Sequence, residues 1–167
     1  MRTAFAWLVV CNGLILLGTA GVGLWASTST VELHILLAVF TLVVTCGIEA
    51  VYFTYFVVTG KLIVQAVSLG GMEPSPLERS ASLKRSAARW LAITFAAMLT
   101  MTATGAIHWA KTIHVAWHWL AVGAGLVGLL VAFYRQYDLL VQNELLLHET
   151  MTRYAELRRA RTETLPS

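Results

Sequence analysis

Histidine is scarce in this chain, five in 167 residues, and three of the five stand in one stretch, 107–120, IHWAKTIHVAWHWL. There His108, His114 and His118 alternate with Trp109, Trp117 and Trp119. Neutral imidazole nitrogen is the commonest protein donor to transition metals and holds haem iron from opposite faces. Because residues four apart share a helix face, His114 and His118 are expected to point the same way. His34, about one turn into an apolar run entering from the same side, should lie at their depth. His34 and His118 are the expected axial pair for a b-type haem, with His114 as substitute. A zinc or copper ion would instead draw on His34, His114, His118 and His108. The competing reading makes the histidines interfacial residues like the tryptophans beside them, with no cofactor.

Glu49 is the second candidate. It is the one acidic residue deep within an apolar run, and an intramembrane carboxylate is expensive enough to be a functional candidate by default. It is read as a proton relay or quinol-site acid with Tyr52 on the same helix, or as a structural hydrogen-bonder to Asn12, Thr94 or a carbonyl. Thr100, Thr102 and Thr104 can bond their own helix and need no further role. His148, between Glu144 and Glu149, reads as a solvated helix residue.

The elements that must position these groups follow from composition. At 57% hydrophobic and 13% charged, the chain departs from the soluble balance. Four apolar runs, 4–25, 31–58, 90–110 and 113–134, each reach the roughly 20 residues that cross a bilayer as a helix. None alternates as a barrel strand does. The first is too long for a signal-peptide core and is read as a retained span. Eleven of the twelve basic residues fall on one side of the resulting topology and only Lys111 on the other, which predicts both termini in the cytoplasm. That sidedness accounts for the net charge of +3 without nucleic acid. Cys11 and Cys46 lie within spans at different depths, so no disulfide is expected.

The expected fold is therefore all-α: a four-helix transmembrane bundle, N-in and C-in, with a long cytoplasmic extension of the last helix. Residues 1–135 form the membrane domain, with a cytoplasmic loop at 59–89, and 136–167 form the helical extension and tail. Within that loop, LIVQAVSLGG reads as a separate interfacial helix stopped at Gly70-Gly71. Ser75 and Glu78 read as a capping box, with Pro76 at the first helical position. The extension carries a stripe of Leu139, Leu140, Leu146, Leu147, Met151, Tyr154 and Leu157, which needs a partner. Another subunit or a second copy, docking through 136–161, is expected to supply it.

Small residues cluster toward the histidine side: Gly18, Gly21 and Gly23, then Ala103, Gly105 and Ala106, then Gly123, Ala124, Gly125 and Gly128. They would wall a flat macrocycle or simply allow close helix packing. GAGLVG at 123–128 spells a dinucleotide fingerprint, but it sits mid-span with no preceding strand. Metalloprotease, nucleophile-elbow and phosphate-loop motifs are lacking, so hydrolase chemistry has no machinery here. The expectation is a subunit of a membrane redox complex in a bacterial-type inner membrane, serving electron transfer or anchoring. In architecture alone it resembles the membrane anchors of respiratory complexes. The alternatives are a cofactor-free structural or assembly subunit, and a small proton or metal-ion transporter.

Overall fold

The computed structural model of the protein describes residues 1–25, 30–110, 112 and 114–163. Four helices account for nearly all of them: α1 (Arg2–Leu24), α2 (Val31–Gly70), α3 (Ser75–Trp109) and α4 (Val115–Glu163). All four are long and apolar enough to cross a membrane. Their outward faces agree, since Trp7, Leu14, Val43, Leu99, Val127 and Leu130 are each more than half exposed. Water would penalise so continuous an apolar girdle, and lipid does not. The chain is a membrane protein.

Successive helices run in opposite directions. One end of the molecule carries His34, His108, His114 and His118; the other carries the start of α1, the end of α4 and, among the described residues, the basic side chains. Among the described residues α1 packs on α2 and α4 but not on α3, while α2 also meets α4 across the diagonal. Residues 26–29, Lys111, Ile113 and 164–167 lie outside the described residues.

Three buried clusters stack along the molecule. Leu16, Met98, Met101, Leu129 and Phe133 fill the histidine half, and Phe5, Ile48, Tyr52, Phe56, Ala87, Leu139 and Leu140 fill the middle. Ile63, Val67 and Leu146 fill the basic end. On α2 the inward residues Thr41, Thr45, Glu49, Tyr52, Phe56, Thr59, Ile63, Ala66, Val67 and Gly70 recur at helical three- and four-residue spacing without a change of phase.

That unbroken phase overturns the separate interfacial helix. LIVQAVSLGG is the last part of one 40-residue helix, because nothing before Gly70-Gly71 breaks it. The stop falls where expected. Gly71 adopts φ +64°, a left-handed conformation that glycine reaches without a Cβ clash. Met72 N–H then donates to Val67 O at 3.1 Å. The two carbonyls left over at this helix end, Leu69 O and Gly70 O, accept from Arg161 at 3.2 and 3.0 Å.

The capping box does not form. α3 starts at Ser75 itself, with Pro74 as its cap residue and no side-chain cap bond, and Pro74 O accepts from Leu77 N at 2.8 Å. Thus 59–89 is helical except for the connection at 71–74.

Much of the α4 extension's apolar stripe is packed within the chain itself. Leu139, Leu140 and Leu146 are buried against α2 and α3, and Leu147 packs on the Ile63–Val67 cluster. Asn143 donates to Thr59 at 2.8 Å, and Arg2–Glu144 and Arg79–Glu149 ion pairs at 2.9 and 3.1 Å tie α1 and α3 to the same helix. Only Met151 and Leu157 of the stripe remain substantially exposed.

Candidate functional site

The α2–α4 diagonal brings His34 and His118 together at the histidine end, with ring centroids 6.5 Å apart and planes at 75°. Each ring is fixed by the helix beside its own. His34 Nδ1 lies 3.2 Å from Thr19 O on α1, and a carbonyl only accepts, so this nitrogen carries the proton. His118 Nδ1 lies 3.3 Å from Thr104 Oγ1 on α3. The Thr104 hydroxyl gives its proton to Thr100 O at 2.8 Å, so it too accepts from the imidazole. Both rings are thereby set in the Nδ1–H tautomer, leaving Nε2 as a lone-pair donor. A second bond that fixes tautomer and ring direction is the arrangement that metal-ligating histidines require.

Glycine makes room for each ring. A Cβ on Gly23 of α1 would stand 2.7 Å from His34 Cε1, and one on Gly105 of α3 would stand 3.1 Å from His118 Cε1. The rest of the small-residue wall is distributed otherwise. Gly18, Gly21, Gly123 and Gly128 face open space, and Gly125 accommodates the Met101 side chain.

Below the imidazoles lies a cavity of about 350 Å³, within the size range of small-molecule and cofactor pockets. Its walls are mainly apolar, among them Leu16, Ala38, Met98, Ala106, Val122 and Leu126. Ile35 and Val39 also line it and are about half exposed, at 49% and 47%, so it opens sideways toward lipid.

The other candidate histidines separate. His108 stacks on His118, centroids 6.4 Å apart and planes at 4°. His114 precedes α4, and its Nδ1 accepts from the Ala116 backbone at 3.2 Å, so the expected i, i+4 pairing with His118 is not made. His148 is exposed on the extension. Among the described residues no set of three or more His, Cys, Asp or Glu side chains is gathered to hold a metal ion.

From the histidine end a column of buried polar pairs descends along α2. Thr19 and Thr41 hydroxyls meet at 2.9 Å, and Asn12 donates to Thr45 at 3.1 Å. Glu49, fully buried, is bonded by Gln136 of α4 at 2.8 and 3.0 Å. The same amide reaches Thr94 at 3.3 Å. Asn12 therefore serves Thr45 and not Glu49, and the partner missed from the sequence is Gln136. Its signal was available, since 129, 132, 136, 139, 143, 146 and 150 mark one inward face of α4.

Fold and site define a four-helix membrane protein with a paired imidazole site at one end and a buried carboxylate between its ends. Comparison with protein-family models, curated proteins and solved structures finds no match.

Proposed function

We propose that this chain is an electron-transfer or anchoring subunit of a membrane redox complex, holding a b-type haem between His34 and His118. One observation carries the reading: two imidazoles from different helices face one cavity, each with Nδ1 tied back and Nε2 free. Centroids about 6 Å apart are what two metal–nitrogen bonds of roughly 2 Å plus the ring radii require. Their separation of 6.5 Å fits. When bound, such a group supplies a one-electron couple. The chain's part would be to hold such a group by His34 and His118, to exclude water with apolar walls and to polarise the imidazoles through Thr19 O and Thr104 Oγ1.

Gentle extraction and an absorption spectrum test the proposal. A Soret band with low-spin features is expected, and its absence from both the purified chain and the haem-supplemented chain would overturn the reading. Gly23→Ala probes the cradle without touching a ligand: the added Cβ must push His34 off Thr19 O, costing about 1 kcal/mol for that bond and reducing haem occupancy.

Orientation belongs to the same proposal. The lysines and arginines of the basic end support a cytoplasmic location for it, with the protein in an inner, cytoplasmic membrane. With Cys11 and Cys46 replaced, a cysteine at Thr112 is expected to react with an impermeant reagent from outside and one at Ser82 to be protected. Both positions are exposed. The opposite pattern would turn the imidazole pair to the cytoplasm.

A further inference from the structure

We infer that Arg85 and Arg89 of α3, flanked by Lys84, form a docking site for the phosphate of an anionic phospholipid in the leaflet at the basic end. The inference stands apart from the haem reading and holds whichever leaflet faces the cytoplasm.

Depth along α3 follows from the helix itself. Trp90 and Trp109 lie 19 residues apart on it, about 28 Å at 1.5 Å per residue, which matches the hydrocarbon thickness that interfacial tryptophans bracket. Arg89 therefore stands at the edge of the hydrocarbon. Arg85 and Lys84, about 6 and 8 Å beyond it, lie in the headgroup band, which is roughly 5–8 Å deep on each side.

All three cations are exposed. The ion pairs among the described residues, Arg2–Glu144 and Arg79–Glu149, leave them without an acidic partner. Glu78, the acid of this helix, is seven residues from Arg85, about 10 Å farther from the hydrocarbon, and Asp138 of α4 is engaged by Gln142 at 2.9 Å. Arg85 and Arg89 are four residues apart and share one helix face. A guanidinium pairs with phosphate through two parallel bonds, and cations at this depth attract anionic headgroups. On the same face, within the hydrocarbon, stand Ala92 and Ala96, both exposed, so no bulky side chain blocks the path of the lipid's acyl chain.

Native mass spectrometry of the full-length protein in detergent, titrated with phosphatidylglycerol or with phosphatidylcholine of the same acyl chains, tests the site. Phosphatidylglycerol is expected to bind at about tenfold lower concentration, and added salt to narrow the difference. The double variant Arg85→Gln, Arg89→Gln should bind the two lipids alike. Lys61→Gln should keep the preference: Lys61 is also exposed, but its neighbour Gly60 faces Ser80, which puts it about 14 Å from the level of Arg89. Inorganic phosphate at the lipid's concentration should displace little of it; full displacement would assign the cations to a free anion and remove the lipid site. Equal affinity of the unaltered protein for the two lipids, a preference that survives the double variant, or one lost equally in Lys61→Gln would each overturn the inference.

Discussion

His118→Ala and His34→Ala are each expected to abolish the six-coordinate low-spin haem signal, the first of the two largest effects. A thioether from Met98 or Met101 in the cavity wall would not restore a bis-imidazole signal. Removing one imidazole also removes its contact with Thr104 Oγ1 or Thr19 O. His114→Ala should leave the signal in place, because that ring is engaged with its own backbone at Ala116. His148→Ala should be silent. His108→Ala should shift the potential rather than remove the signal, since its ring stacks on His118 without replacing it. Retained low-spin haem in both the His34 and His118 variants would remove the axial assignment. The two rings would then be polar caps on an apolar assembly.

The depth argument that paired His34 with His118 was legible because apolar runs have fixed lengths and antiparallel helices share levels. Rotation about each helix axis was not. His114 and His118 share a face only if both are helical, and α4 begins at Val115, one residue too late. Thr104 was legible as a residue bonded to its own helix and is one at 2.8 Å, but its second contact with His118 depends on how α3 and α4 are rotated. Gln136 was obscured by position. It follows Arg135 at the apparent edge of the apolar run, where an amide reads as solvated, and only its phase with Leu129, Asn143 and Thr150 marks it as inward. The same applies to 62–70: read as a separate helix ahead of Gly70-Gly71, it continues in Ile63, Ala66 and Val67 the inward phase of Tyr52 and Thr59.

Truncation after Arg135 is the second large effect, and the structure changes its expected outcome. A docking extension could be removed with the rest intact. Here its removal strips Leu139, Leu140 and Leu146 from the core, at about 2–5 kcal/mol for each buried leucine side chain. It also takes Gln136 from Glu49 and Asn143 from Thr59. The sum is on the order of 10 kcal/mol, comparable with the whole stability of an ordinary domain. The truncated chain should insert but lose protease resistance across 59–90 and melt without a cooperative transition. Truncation after Ala160 removes Arg161 and its cap on α2, an exposed contact worth about 1 kcal/mol or less, and should lower the melting temperature only slightly. Equal protease resistance in the longer truncation and the intact chain would show that α2 and α3 hold together unaided.

The continuity of α2 and α4 has a mechanical consequence. At 1.5 Å per residue their 40 and 49 residues are rods of about 60 and 74 Å, and neither contains the proline that would let it flex sharply. A tilt of about five degrees about the middle of α2 moves each end by roughly 2.5 Å, about half the height of a helical turn. With the polar pairs near mid-length as fulcrum, a small shift of the imidazole-bearing end is delivered undamped to the tip at 71–74. The molecule is built as a lever whose two arms meet at that polar level.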